Sequence, residues 1–535
     1  MWYVLAAVVT VLGLLIHYLT TRKYNYWKKK NVPHLKPNFF FGNYKDLITL
    51  RLNFGSQVQK ICQHFPDAPL IGAYFGTEPV LIVNDPEMVK LVTTKDFYYF
   101  SYREIADHVY KEGLTKNLFH SVGDDWKVLR QNLTPMFSSA KMKSMFTLIK
   151  NCSLTLERVL DKQVNKSSVM EVRSFVGRFT MDCIGTCAFG LDTNAMLDDN
   201  SPFTNMGNLI FQATTTHGLK THMRYIWPGI FYSLGLTAFP KEVDTFFRHF
   251  LLRVFDERRG KPSARKDFVE MVLSFYDKKV ITGDSMKNLK TDERVKVNLK
   301  VDDELVMAQC FVFFAAGYET SATTSSFLLY ELAKDQKSQE RARQEVRDWL
   351  RKREGQLGYE CVTELPFLEQ CIDETLRLYP VLGVITREVT DTYKFENGPT
   401  VERGLRVHLP IYHMHHNPKY FPDPESFRPE RFAPENKHNI QPYTFFPFGE
   451  GPRLCIVIVA DRRPTVCSRN ALRQDASARR PRHDSEEITA WLTVCQELEF
   501  EPRSAVTQSK TGINLKFIPL SDAEEYLYPR EVNAQ

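Results

Sequence analysis

The sequence lacks several features that mark broad classes of protein. Its ten cysteines are scattered, and no two of them stand at CxxC spacing, so a reducing compartment is favoured over a disulfide framework. No internal repeat is found in the sequence. The net charge of +6 over 535 residues is small, so no nucleic-acid partner is expected. These absences leave a globular chain that is long enough to bury a large core.

Formal charge is also missing from the first 20 residues, which read MWYVLAAVVTVLGLLIHYLT. About 20 apolar residues at ~1.5 Å rise give ~30 Å, the thickness of the hydrocarbon core of a bilayer. A cleaved signal peptide is the alternative. Against it, no basic residue precedes the run, the run is longer than a usual signal-peptide core, and no A-x-A-like site follows. Residues 1–20 are therefore predicted to be a retained transmembrane anchor.

Positive charge follows this run at once, at Arg22, Lys23, Lys28, Lys29 and Lys30. Such an excess on one flank places the rest of the chain on the cytosolic side of the membrane. Pro33 and Pro37 interrupt any continuation of the helix. We therefore expect residues 21–37 to form a basic, proline-containing hinge and residues 38–535 to form the catalytic domain.

Hydrophobic periodicity predicts a mainly α-helical domain with small β-sheets. Residues 70–95 contain two short apolar runs and a turn, which predicts two strands and the start of a helix. Asp302 or Asp303 is predicted to cap a long helix that ends near Ala333. The middle of that helix, QCFVFFAAGYETSATTSS, is apolar or small almost throughout and must be buried. The polar, basic residues 278–300 are predicted to be a surface loop.

The strongest single motif is FPFGEGPRLC, at residues 446–455. A thiolate binds soft metals, and it stays deprotonated when positive charge or hydrogen-bond donors lie nearby. Gly449 and Gly451 permit a tight turn with inward-pointing N–H groups. Phe448 can shield the sulfur of Cys455 from water, and Arg453 presents a fork that fits a carboxylate. The run predicts a metal-ligating cysteine, with a buried cysteine behind a glycine-rich turn as the alternative.

This run matches the F-x-x-G-x-R-x-C signature of the cytochrome P450 family, which the chain resembles from Met1 to Ile456. Four further motifs stand in the family's order: Trp126-Lys-Val-Leu-Arg130, Ala316-Gly317-Tyr-Glu319-Thr320, Glu374-Thr-Leu-Arg377 and Pro429-Glu-Arg431-Phe432. The resemblance implies the cytochrome P450 fold, an α-rich domain with a minor β domain, behind a single N-terminal transmembrane helix. It also implies a haem b cofactor with Cys455 as the thiolate ligand of the iron.

The residues that the resemblance assigns to haem binding are Trp126, Arg130, Ala316, Gly317, Arg387, Phe448, Gly449, Arg453 and Cys455. Gly317 costs ~1 kcal/mol in a helix relative to Ala, which suggests close approach of a ligand there. The resemblance gives Thr320 and Glu319 the catalytic role of passing protons to dioxygen. Taken alone, Glu319 would be better explained as a capped or solvated carboxylate.

A structural role is implied for Glu374, Arg377 and Arg431, which would form a buried ion network that holds the cysteine loop. The cluster His413-Met-His415-His416 has the look of a metal site. In the family a histidine stands here in a surface meander, so zinc binding is the disfavoured alternative.

Within the family the pattern resembles the animal microsomal branch, and most of all insect enzymes that oxidise foreign compounds. This implies a monooxygenase that inserts one atom of dioxygen into small lipophilic substrates, either xenobiotics or endogenous lipids. Its electrons would come from NADPH through a flavoprotein reductase, with cytochrome b5 as a second candidate donor. The implied location is the endoplasmic reticulum membrane, single-pass, with the catalytic domain on the cytosolic face. An isomerase or dehydratase on the same fold ranks last, because it would not need Glu319 and Thr320.

The likeness breaks directly after Ile456, and residues 457–492 are anomalous for the family. Several arginines and two prolines interrupt this stretch, and no apolar face of helical period can be drawn through it. Family-like sequence returns near Leu498. The alternative function is therefore a haem-deficient, catalytically impaired member of the fold, or the product of a frameshifted or mis-spliced gene. Val457, where the family has glycine, is expected to weaken haem incorporation.

Overall fold

A computed structural model describes residues 1–198, 200–258, 267–291, 293–457, 490–494 and 497–519. The α-helices in this part of the chain are α1 (Trp2–Thr21), α2 (Tyr26–Lys29), α3 (Lys45–Ile48), α4 (Phe54–Cys62), α5 (Pro86–Lys90), α6 (Gly123–Leu133), α7 (Ser139–Lys166), α8 (Val172–Ile184), α9 (Pro202–Phe211), α10 (Thr215–Ile226), α11 (Pro228–Ser233), α12 (Lys241–Arg258), α13 (Phe268–Lys278), α14 (Asp303–Lys334), α15 (Gln336–Arg351), α16 (Pro366–Leu378) and α17 (Ile411–His415). The strands are β1 (Leu70–Phe75), β2 (Glu78–Val83), β3 (Val169–Glu171), β4 (Val280–Asp284), β5 (Lys296–Lys300), β6 (Ile385–Glu388), β7 (Tyr393–Lys394), β8 (Thr400–Val401), β9 (Arg406–Leu409), β10 (Ala490–Val494) and β11 (Asn514–Pro519). The predicted fold class, mainly helical with small sheets, is confirmed.

Helix α14 forms the centre of the molecule. It begins where the sequence predicts, because the Asp302 carboxylate accepts the N–H of Leu305 at 2.8 Å and so caps the first turn. Most of its residues are buried, as expected for a helix that is apolar around its whole circumference. It packs along α8 and against α13 and α16, so it lies in the middle of the helical layers.

The larger sheet has the strand order β1-β2-β9-β6. The two strands predicted within residues 70–95 are present as β1 and β2, and they pair antiparallel. Strand β9 joins them parallel to β2 and antiparallel to β6. A second sheet has the order β10-β11-β3 and so brings the end of the described chain against the start of α8.

The predicted surface loop at residues 278–300 is wrong. Strands β4 and β5 pair antiparallel there over five residues on each strand, and β4 packs against α6. Exposed and half-buried side chains alternate regularly along β5, so the strand signal was period-two alternation, which the overall polarity of the segment concealed.

Helix α1 is apolar and exposed on nearly every side, and it is long enough to cross a membrane. Helix α14 passes the same test of length and composition, but most of its apolar window is buried in the core. The chain that follows α1 packs on the domain: Trp27 is fully buried, and its indole N–H donates to the Ala73 carbonyl at 2.8 Å. A Cβ on Gly72 would lie 2.4 Å from the Trp27 ring, so only glycine leaves room for this contact.

Candidate active site

The cysteine loop is a tight turn that ends at Cys455. Gly449 and Gly451 have φ of 78° and 71°, the left-handed region that favours glycine. The Gly449 N–H donates to the Phe446 carbonyl at 2.9 Å, and the Cys455 N–H donates to the Phe448 carbonyl at 3.1 Å. A Cβ on Gly451 would stand 1.8 Å from a backbone oxygen, so a larger residue there would force the loop to move. The half-buried Phe448 ring packs against the main core.

Arg453 joins this loop to the segment before α6. Its guanidinium donates to the carbonyl oxygens of Phe119 at 3.3 Å and Ser121 at 2.7 Å. It also stacks over the Trp126 ring, with 4.4 Å from its central carbon to the ring centroid. Trp126 and Arg130 both lie on α6, four residues apart and therefore on one face of that helix. The sequence motif at 126–130 is thus brought to the cysteine loop.

Four arginines meet at this place, Arg103, Arg130, Arg387 and Arg453. Burial lowers the pKa of Arg387 to about 9, and the charge of Arg103 acts in the same direction. Burial also lowers the pKa of Arg103 to about 10, against the opposing effect of Tyr225 and Cys455. The pKa of Arg453 falls well below its usual range because of burial and of the other three arginines. Burial lowers the pKa of Arg130, and Cys455 opposes that change.

This cluster is unpaired within the described residues. None of the four guanidinium groups forms an ion pair with a carboxylate there, and Nε of Arg103, Arg387 and Arg453 has no hydrogen-bond partner. Buried charges in proteins are paired, since an unpaired one is costly. An anion with more than one carboxylate would satisfy the spare donors, and haem b carries two propionates. The donor set and the neighbouring Cys455 therefore fit haem b.

Arg103 was not found from the sequence. It lies in the irregular segment before α6, and its guanidinium sits 3.7 Å over the Phe119 ring. No spacing rule relates it to the cysteine motif 350 residues later. Only its position beside aromatic residues was visible, and that is too common to single it out.

One face of α14 is open in the middle of the core. Ala316 and Thr320 are exposed, although Ala315 and Glu319 beside them are buried. The Thr320 hydroxyl donates to the Ala316 carbonyl one turn back, at 2.8 Å. At Gly317 the close approach is that of another helix, since a Cβ would stand 2.2 Å from Ile184 of α8. The packing of α14 on α8 therefore explains why a glycine stands at position 317.

Glu319 is fully buried and points away from that open face. Both carboxylate oxygens accept from Arg173 Nη2, at 2.6 and 2.7 Å. The amide of Gln508 donates to the same carboxylate at 2.7 Å, and the Thr323 hydroxyl does so at 3.2 Å. The carboxylate is therefore neither solvated nor capped, the two alternatives that the residue alone suggested. It is an ion-paired group that joins α8, α14 and the segment before β11.

The structural network predicted around Glu374 is present. Its two oxygens accept from Arg377 Nε and Nη2 at 2.8 and 2.9 Å, and from Arg431 Nε at 3.3 Å. The backbone N–H of Arg428 adds a fourth donor at 2.9 Å. Glu374 and Arg377 are both 0% exposed, so this ion pair has no access to water.

The placement of the histidine cluster in a surface meander is wrong. His413, His415 and His416 are all buried, at α17 and its C-terminal end. No group of three or more His, Cys, Asp or Glu among the described residues is arranged to hold a metal ion. A haem iron, by contrast, needs only one protein ligand of this kind.

Ile456 and Val457 pack against the core beside the loop, whereas residues 458–489 of the anomalous segment lie outside the described residues.

Comparison with known proteins agrees with this geometry. The sequence model of the family described as Cytochrome P450 matches residues 32–456, and the match ends where the departure begins. Cytochrome P450 6B7 of Helicoverpa armigera is 32% identical over 522 residues, which cover 97% of this chain and 99% of that protein. Cytochrome P450 6B5 of Papilio glaucus is 36% identical over 450 residues, covering 84% and 92%. Probable cytochrome P450 6a14 of Drosophila melanogaster is 33% identical over 463 residues, covering 85% and 89%.

Proposed function

The chain belongs to the cytochrome P450 family and is a monooxygenase, and from that premise we propose that it oxidises small lipophilic substrates with electrons from NADPH. The observation that carries the proposal is the cluster of four arginines beside Cys455. Among the residues that the structure describes, these four guanidinium groups lie together without a carboxylate partner, which is expected of a site built around an anion.

In the proposed site, Cys455 ligates the iron of haem b through its thiolate. Arg103, Arg130, Arg387 and Arg453 hold the propionates, with Trp126 stacked on Arg453. The turn at Gly449 keeps the sulfur in place, and Phe448 limits the access of water. When bound, the haem supplies the centre at which dioxygen is reduced so that one of its atoms enters the substrate.

Proton delivery is assigned to Thr320 and Glu319. The Thr320 hydroxyl lies on the open face of α14 and can turn from the Ala316 carbonyl to a water on that face. Glu319 accepts from three donors, so it can take up and pass a proton only after one donor leaves. Arg173 is the donor that can leave most easily, because its side chain is 25% exposed and its guanidinium can be solvated. We therefore assign to Arg173 the control of Glu319.

The substrate site is assigned to the space beside the open face of α14. The residues expected to line it lie in the 100–120 segment, near 205–235, at 313–320 and at 381–386. Phe119 is 39% exposed although it lies beside buried residues of that segment, as expected of a pocket wall. The substrate class is a xenobiotic or an endogenous lipid, and the similarity to insect relatives favours the xenobiotic.

The proposed topology is one anchor at residues 1–20, a basic segment at 21–37 and a catalytic domain at 38–535 on the cytosolic face of the endoplasmic reticulum. The apolar, exposed α1 supports the anchor. A flavoprotein reductase is the proposed electron donor, with cytochrome b5 as a second donor. The topology predicts that the sequons at Asn132, Asn151 and Asn165 stay unglycosylated in microsomes, so a mass shift on deglycosylation would contradict it.

The alternative is a haem-deficient member of the fold. It rests on the residue pattern of the 457–492 segment alone. The spectrum of the reduced, CO-bound chain distinguishes the two functions.

The test uses the full chain expressed in membranes, with Cys455→Ser as the matched control. The monooxygenase is expected to bind haem and, when reduced and exposed to CO, to absorb near ~450 nm, the mark of a thiolate ligand in this family. With reductase, NADPH and an alkoxycoumarin probe, it should release the fluorescent dealkylated product. A chain without haem would favour the alternative, and a serine variant with unchanged spectrum and activity would overturn the assignment of Cys455.

A further inference from the structure

We propose that His415 is a positioning residue. It links the buried Glu374–Arg377 ion pair to Phe446, at the start of the cysteine loop, and so holds that loop in place. The inference rests on the proposed function, because the cysteine loop matters only if Cys455 is the ligand. Within the part of the chain that the structure describes, His415 contacts neither the Cys455 sulfur nor the arginine cluster.

His415 lies between the ion pair and the loop, at the end of α17. Its ring nitrogen Nε2 accepts the backbone N–H of Phe446, the first residue of the loop, at 3.1 Å. On the other side, Nη1 of Arg377 donates to the His415 carbonyl at 2.9 Å. The ring nitrogen Nδ1 faces the Arg377 carbonyl at 3.3 Å. Through these contacts His415 is bonded twice to Arg377 and once to Phe446.

These contacts define the tautomer of the ring. Nε2 accepts an N–H, so it carries no proton, and Nδ1 must carry the proton that it donates to the Arg377 carbonyl. The ring is 0% exposed, and burial lowers its pKa well below the usual range, with His416 and Arg377 acting in the same direction. A neutral ring with one acceptor and one donor on opposite sides is what the two neighbours require.

The hydrogen bond from the Phe446 N–H to His415 Nε2 fixes the first residue of the loop, and the contacts of that residue position the rest of the loop. The carbonyl of Phe446 accepts the Gly449 N–H at 2.9 Å, and the carbonyl of Phe448 accepts the Cys455 N–H at 3.1 Å. The rings of Phe445 and Phe446 lie 5.2 and 5.9 Å from the imidazole and hold the same corner by packing. A continuous chain of contacts thus runs from Glu374 through Arg377, His415 and Phe446 to the sulfur-bearing residue.

Two substitutions separate the hydrogen bond from the packing. In His415→Asn the amide nitrogen can occupy the place of Nδ1 and keep the donation to Arg377, but nothing reaches the Phe446 N–H. In His415→Gln the amide oxygen can reach the place of Nε2 and keep the Phe446 bond, while the donation to Arg377 is lost. His416→Asn is the matched control. Within the described part of the chain its ring bonds the Tyr412 carbonyl, four residues earlier, through Nδ1, which the asparagine amide can replace.

The first measurement is the spectrum of the reduced, CO-bound full chain. We expect His415→Asn to move most of the absorption from near ~450 nm to the shorter wavelength of a haem without a thiolate ligand. His415→Gln and His416→Asn should keep the wild-type band. A wild-type band in His415→Asn overturns the proposal, and so does an equal loss in the asparagine and glutamine variants, which would mean that the ring acts only by packing.

The second measurement does not depend on haem. Amide hydrogen exchange of the peptide that covers residues 446–455 should be about tenfold faster in His415→Asn than in the other chains, since the Phe446 N–H loses its acceptor. Equal exchange in all four chains overturns the proposal even if the wild type carries no haem. A missing ~450 nm band in the wild type, with the expected exchange pattern, would instead count against the proposed function alone.

Discussion

The buried network at Glu374 allows the sharpest test of what holds the cysteine loop. In Glu374→Gln the side chain keeps its size but loses its charge, and Arg377, which is 0% exposed, is left as an uncompensated buried cation. Removing one partner of such a pair costs ~3–5 kcal/mol. That is a large share of the ~5–15 kcal/mol that stabilises a folded domain. With a denaturant dependence of about 3 kcal/mol per molar urea, the unfolding midpoint should fall by about 1 M or more.

The matched control is Glu430→Gln. Glu430 pairs with Arg341 at 2.8 Å, but both side chains are more than half exposed, so the pair is worth less than about 1 kcal/mol. The assay is urea unfolding of the full chain followed by tryptophan fluorescence, with haem retention read from the same samples. A midpoint for Glu374→Gln that equals the midpoint for Glu430→Gln would refute the reasoning, because it would mean that the burial of the network carries no energetic weight.

Three further predictions concern the proposed active site and its surroundings. Arg103→Gln removes one of four mutually repelling cations, so the haem-free chain should keep or gain thermal stability while haem transfer to apomyoglobin becomes faster; slower transfer would contradict the anion-binding assignment. Thr320→Ala should uncouple oxygen consumption from product formation in the reconstituted enzyme, and unchanged coupling would count against the relay. Burial raises the pKa of Glu388 to about 7, so the folded state keeps a proton that the unfolded state releases near ~4.3, and stability is lost as pH rises between those values. Glu388→Gln should therefore flatten the pH dependence of the urea midpoint over about pH 4.5 to 7 and raise the midpoint at pH 8, whereas a profile parallel to the wild type would show that Glu388 titrates normally.

Short motifs account for what could be predicted of the site. Gly449, Gly451, Arg453 and Cys455 lie within one turn, so their local geometry follows from a few backbone angles. Glu374 and Arg377 are three residues apart on α16, and that spacing brings them together without any tertiary information. The cap of α14 at Asp302 was predictable for the same reason.

Local patterns failed where the partner is distant in the chain. Residues 278–300 were predicted to be a loop from their polarity, because a hairpin is defined by pairing between strands and only weakly by composition. The resemblance placed the histidines at 413, 415 and 416 in a surface meander, but they are buried, because the sequence of a short polar segment does not show what covers it.

By itself, the sequence determined the family, the mainly helical class and the apolar N-terminal helix. Each of these follows from short motifs or local hydrophobic patterns, whose residues are close together in the chain. Only the tertiary structure decided that Arg103 joins the arginine cluster, that Arg173 and Gln508 hold Glu319, and that His415 bonds Phe446. The physical reason is the same in each case: a buried polar group must find a partner, and the fold, rather than the spacing along the chain, determines which distant residue stands within 3 Å or so of it.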